Sequence, residues 1–114
     1  MLFSIDATRV YFNGTSGTTS TLESVPIGGG LTTTIATSAT TTLAGLAVDP
    51  LYVYLRVSTS TDDSVPSNLA EVPIGGGVIK TLATGLSYDS EVVVSGGYIY
   101  FTDPTGGRVL RVPR

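Results

Sequence analysis

Apolar and polar residues alternate with a period near two in Arg9–Phe12, Tyr52–Val57 and Tyr98–Thr102, each mixing aliphatic and aromatic side chains. That period predicts β-strands, whose successive side chains point to opposite faces. Each segment follows an earlier strand, Leu2–Asp6, Leu43–Asp49 or Glu91–Ser95, across a tight turn at Ala7-Thr8, Pro50-Leu51 or Gly96-Gly97. A third strand comes after a variable loop: Thr21–Ile27, Leu69–Ile74 and Arg108–Pro113. The loops are Asn13–Ser20, rich in Thr, Ser and Gly, then Ser58–Asn68, longer and acidic, and Asp103–Gly107, short. A fourth strand, Thr32–Thr37 or Ile79–Thr84, follows a triple glycine in the first two units and is missing from the third.

The elements recur because the sequence recurs. Val25-Pro26-Ile27-Gly28-Gly29-Gly30 returns 47 residues later as Val72-Pro73-Ile74-Gly75-Gly76-Gly77, and Val112-Pro113-Arg114 begins it again. Upstream, Ile5-Asp6-Ala7-Thr8-Arg9-Val10-Tyr11-Phe12 is echoed by Val48–Leu55 and by Val94–Phe101. A period in the forties built from short β phrases points to a repeat architecture, most often a propeller. The expected fold is all-β, a single repeat domain over 1–114 with four-stranded antiparallel blades at 2–37, 43–84 and 91–114, about 2.75 units. Glycine suits the third-to-fourth-strand turns because positive φ is needed there. Pro26, Pro73 and Pro113 fall near strand ends, where one missing donor is tolerable.

Tyr100-Phe101-Thr102-Asp103, with Val109-Leu110-Arg111-Val112 after it, resembles the blade of YWTD-type six-bladed propellers, Phe standing for Trp. Tyr11-Phe12-Asn13-Gly14 and Tyr54-Leu55-Arg56-Val57 occupy the same place less closely. Proteins of the YWTD and NHL-like type are mostly binding modules, with a minority of lactonases and lyases, so the resemblance implies a propeller and a binding role. It transfers no catalytic residue. Closure takes four to eight blades, and a shorter stack leaves inter-blade faces open. Self-association is therefore expected, most simply a homodimer that completes a six-bladed ring. Arg108, Arg111, Arg114 and Pro113 are of the types that protect an edge strand, and another chain's strand docking there is the alternative.

Composition narrows the partners. Charged residues make up 13% of the chain, against about 25% in ordinary domains, and the net charge of -3 opposes a nucleic-acid surface. No apolar run approaches the length of a membrane span. Cysteine and histidine are both absent, which removes thiolate chemistry and the usual general base. Little lysine, much Thr and Ser and no cysteine suit an extracellular or periplasmic bacterial protein cut from its leader, and equally a cytoplasmic one.

Candidate chemistry is sparse. Asp6 and Asp49 stand where the first strand meets its turn: such carboxylates cap turn amides, or hold Ca²⁺, a sugar or a cationic ligand at a channel mouth. Ser95 replaces them in the third unit. Asp62 and Asp63 are the densest negative charge, in a loop without the spacing of a calcium hand. As the largest departure from the repeat, that loop is the first choice for a binding determinant. Tyr11, Tyr54 and Tyr100 share one repeat position, which predicts packing between blades, and Tyr52 and Tyr98 lie two residues earlier on the same face. Tyr88 stands outside the register and is the tyrosine best placed to meet a carbohydrate or protein ligand. The triple glycines lack the context of a phosphate loop. Asn13-Gly14-Thr15 reads as a turn or a glycosylation sequon. The leading expectation is a non-enzymatic, self-assembling binding or scaffold module. Its alternative is a hydrolase or lyase using carboxylates and Ca²⁺ in a central funnel, and a third possibility is a fragment with no role of its own.

Overall fold

The computed structural model describes residues 2–60, 64–104 and 106–114, and within them the chain is all-β. Sheet I contains β1 (Leu2–Ile5), β2 (Arg9–Ser16), β3 (Thr19–Pro26) and β4 (Thr33–Ser38). Sheet II contains β5 (Thr42–Val48), β6 (Tyr52–Ser58), β7 (Ser67–Pro73) and β8 (Lys80–Leu86). Sheet III has three strands, β9 (Val92–Ser95), β10 (Tyr98–Asp103) and β11 (Arg108–Pro113). All are antiparallel meanders, with neighbours in sequence paired in space.

The repeat in sequence is a repeat in register. Ile5 pairs with Val10 and Val10 with Val25, just as Val48 pairs with Val53 and Val53 with Val72. Sheet III repeats it with Val94, Ile99 and Val112. Opposed residues share a face, so every sheet has an aliphatic back. Its front carries a tyrosine opposite a different partner each time: Tyr11 opposite Ser24, Tyr54 opposite Glu71, Tyr100 opposite Arg111.

Fronts pack on backs. Tyr11, Leu22 and Ile35 from the front of sheet I enclose one core with Val53, Leu55, Ala70 and Val72 from the back of sheet II. Tyr54, Leu69 and Leu86 from the front of sheet II enclose a second with Ile99 and Phe101 from the back of sheet III. Sheet II is therefore covered on both sides, and Val53, Tyr54, Leu55, Leu69 and Val72 are all 0% exposed. The two outermost faces are not. Ile5 is 59% exposed on the back of sheet I, where Val10, Phe12 and Val25 are half-buried. On the front of sheet III, Val93 is 61% and Val109 68% exposed, and Tyr98 and Tyr100 are half-buried.

Two sequence expectations change. Asn13–Ser20 is not a loop: β2 runs to Ser16, a Gly17-Thr18 turn follows, and β3 starts at Thr19. Threonine and serine there extend the ladder because they pair along the hairpin, from Asn13 with Leu22 to Ser16 with Thr19. Asn13 is thus a strand residue rather than a turn, and its side-chain oxygen accepts the Gly45 amide of sheet II at 2.9 Å. The triple-glycine segments do carry positive φ, at Gly29 and Gly30 and at Gly76 and Gly77. β11 is an edge strand of sheet III.

A β-bulge occurs at one repeat position in both β1 and β5, where the register steps over Phe3 and over Leu46. A bulge turns its extra residue out of the alternation, and here Phe3 joins the first core and Leu46 the second. The Phe3 ring lies so close on Gly45 of β5 that a β-carbon there would run into it. Glycine at 45 thus sets the approach of sheets I and II. Gly45→Ala is expected to destabilise the fold by about 1–3 kcal/mol. Urea unfolding measures this, and a wild-type midpoint would contradict the packing.

Candidate functional site

The β1–β2 and β5–β6 turns are built alike around an aspartate. Asp6 Oδ1 accepts the amides of Thr8 and Arg9, both at 2.8 Å, and Oδ2 accepts the Tyr11 hydroxyl at 2.7 Å. Asp49 Oδ1 accepts the amides of Leu51 (2.8 Å) and Tyr52 (2.7 Å), and Oδ2 the Tyr54 hydroxyl at 2.6 Å. The carboxylate therefore caps the turn and fastens the tyrosine of the adjoining strand, whose ring is buried in the inter-sheet core. Sheet III has Ser95 and Gly96 at this turn instead.

These contacts set the protonation states. Hydrogen bonds from the Thr8 amide and then the Tyr11 hydroxyl lower the Asp6 pKa to about 2. Burial, followed by the hydrogen bond to Asp6, raises the Tyr11 phenol to about 12. Burial works against ionised Asp49, but Tyr54, the Tyr52 and Leu51 amides and the charge of Arg114 hold its pKa below the ordinary value. Tyr54 moves upward for the same reasons as Tyr11. At neutral pH both carboxylates are charged and both phenols protonated.

Asp6 and Asp49 line one cleft of 710 Å³ between sheets I and II, together with Thr8, Arg9, Pro50 and Ile74. They differ in one respect. Arg114, just beyond β11, reaches across the junction of sheets II and III and sets its Nε 3.1 Å from Asp49 Oδ2. Its Nη1 donates to the Gly96 carbonyl at 2.9 Å. Arg9 directs its guanidinium elsewhere, to Ser24 Oγ at 2.8 Å, the Ser24 carbonyl at 3.3 Å and Thr33 Oγ1 at 3.2 Å. Arg108 pairs with Asp103 at 2.8 Å, and the Arg111 guanidinium lies 4.0 Å from the centre of the Tyr98 ring.

The other candidates lie apart from this cleft. Tyr88 is 54% exposed, with Arg56 donating to its carbonyl and lying 5.8 Å from its ring centre. It borders a separate 560 Å³ hollow with Ser64, Ser87, Asp89 and Asp103. Asp62 and Asp63 fall outside the described residues. Among the described residues, no three His, Cys, Asp or Glu side chains group together as metal ligands. The sequence reading marked both aspartates but missed Arg9, Ile74 and Arg114 as parts of the same junctions. The signal was present: after the recurring Val-Pro the chain has Ile27, Ile74 and then Arg114.

Comparison with protein-family models, with curated proteins and with solved structures finds no match.

The shifted groups predict a stability plateau. A carboxylate with a lowered folded pKa stabilises above its ordinary value, 3.8 for Asp6, and loses that contribution as pH falls towards 2. A phenol with a raised folded pKa stabilises below its ordinary value, 10.0 for Tyr11, and loses that contribution as pH rises through 12. The urea midpoint should hold level between these limits and fall outside them. Asp6→Asn should flatten part of the acid limb. An unchanged acid limb in that variant would contradict the Asp6 assignment.

Proposed function

We propose that the three sheets are propeller blades and that two chains associate head to tail into a six-bladed ring serving as a binding or scaffold module. One observation carries this reading: the face-to-face contact that the chain makes twice internally is left unmade at its two ends. The front of sheet III offers Tyr98, Tyr100, Val93 and Val109 where sheets I and II use Tyr11 and Tyr54. The back of sheet I offers Ile5, Val10, Phe12 and Val25 where sheet II buries Val53, Leu55 and Val72 and packs a half-buried Val48.

Such a contact is heterologous, front against back, and closes when the rotation per blade fits the ring. Two chains of three blades give two identical junctions and no open face. The charges agree: the front of sheet III carries Arg111 and the back of sheet I carries Glu23. Exposed apolar faces of this kind mark interaction sites.

The reading is tested with one variant at each face, followed by light scattering. Tyr100→Lys damages the front and Phe12→Arg the back, so each variant alone should run as a monomer. A mixture should recover a two-chain species, because the intact front of one still meets the intact back of the other. A dimer that survives either variant alone would overturn the head-to-tail arrangement.

A further inference from the structure

The sheet II–sheet III junction contains a ligand supplied by the chain itself. Arg114 follows the last residue of β11, and its amide donates to the Gly97 carbonyl at 2.9 Å. Ile74 follows β7 in the same way, its amide on the Leu51 carbonyl at 2.9 Å, and Ile27 follows β3 with its amide on the Thr8 carbonyl at 3.0 Å. The residues 27, 74 and 114 are therefore one structural position. At this position Arg114 grips Asp49 Oδ2 of the preceding sheet and the Gly96 carbonyl of its own.

At the sheet I–sheet II junction half of that arrangement is present. Asp6 sits where Asp49 does, with the same turn amides and the same tyrosine hydroxyl on it. Pro50, aligned with Gly96, lines the cleft. The residue facing them is Ile74, whose side chain has no donor and is shorter than arginine. The 710 Å³ cleft opens at this point, a volume within the usual range for small-ligand pockets. Among the described residues the ion pairs are Arg114 with Asp49 and Arg108 with Asp103, and neither involves Asp6. Each carboxylate oxygen can accept two hydrogen bonds. Asp49 Oδ2 accepts the Tyr54 hydroxyl and forms an ion pair with Arg114 Nε, whereas Asp6 Oδ2 accepts the Tyr11 hydroxyl.

We infer that the cleft between sheets I and II binds a guanidinium group on Asp6 Oδ2, in the manner in which Arg114 occupies Asp49. The group comes from a small guanidino compound or from an arginine side chain of a peptide; both present the same planar donors. A guanidinium is favoured over an ammonium because the internal precedent uses Nε on a carboxylate and Nη1 on a carbonyl, a fork that a point charge does not reproduce. Arg9 lines the cleft but is held on Ser24 and Thr33, so it does not occupy Asp6. The inference rests on a junction inside one chain and does not require the ring to close.

The test is titration of the full chain with agmatine, with putrescine, and with a blocked Gly-Arg-Gly peptide, followed by NMR shifts of the Thr8, Arg9 and Gly75 amides. Agmatine should saturate these shifts and bind about tenfold more tightly than putrescine. Equal affinity for agmatine and the peptide identifies the guanidinium alone as the ligand, and tighter peptide binding identifies a protein partner. Asp6→Asn should weaken agmatine at least about tenfold. Ile74→Arg should fill the site from within, as Arg114 does next door, abolishing binding while the fold and its melting transition persist. That variant keeps the test decisive if Asp6→Asn fails to fold. No saturable shift with agmatine, or undiminished binding in Ile74→Arg, would overturn the inference.

Discussion

Every sheet in this chain has two apolar faces, and that single constraint governs the rest. Strand alternation usually gives one dry face and one wet one. Here β6 sends Val53 and Leu55 to one core and Tyr54 to the other, and all three are completely buried. A sheet of this kind is finished only when another lies on each side. Sheet II meets that condition within the chain; sheets I and III each meet half of it. Each sheet therefore depends on its neighbour for burial, as the units of repeat proteins do.

The polar rim is the second organising device. Aspartate at a turn fixes a tyrosine hydroxyl, which lets a large ring enter the core without leaving its oxygen unpaired. Where the repeat is faithful the device serves packing, at Asp6–Tyr11 and Asp49–Tyr54. Departures from it change the charge at a junction. Ser95 replaces the carboxylate at the open end, and Arg114 replaces isoleucine at a filled junction. Among the described residues, the junction where Asp6 faces Ile74 has a carboxylate without an ion-pair partner, which sets its cleft apart from the Asp49–Arg114 junction.

Much of this was legible in the chain. Periodicity located the strands, and the Val-Pro and Tyr phrases gave a register that the pairing reproduces, because identical phrases form identical ladders. Tyr11 and Tyr54 fell on one repeat position and are both buried between sheets, with hydroxyls on Asp6 and Asp49. Asn13–Ser20 was misread because Thr and Ser suit both loops and strands, and only pairing with β3 decides between them. Gly45 was silent in sequence, since its role depends on the Phe3 ring of another sheet. Arg114 looked like edge protection, and its contact with Asp49 is a property of stacking that no local pattern encodes.

Sedimentation equilibrium of the unaltered chain over a wide concentration range tests the two-faced sheet most directly. A mass near twice 11.7 kDa, dissociating on dilution with loss of folded signal, is the expected result. A stably folded species at the single-chain mass throughout would mean that the outer faces of sheets I and III need no cover, and would contradict the account.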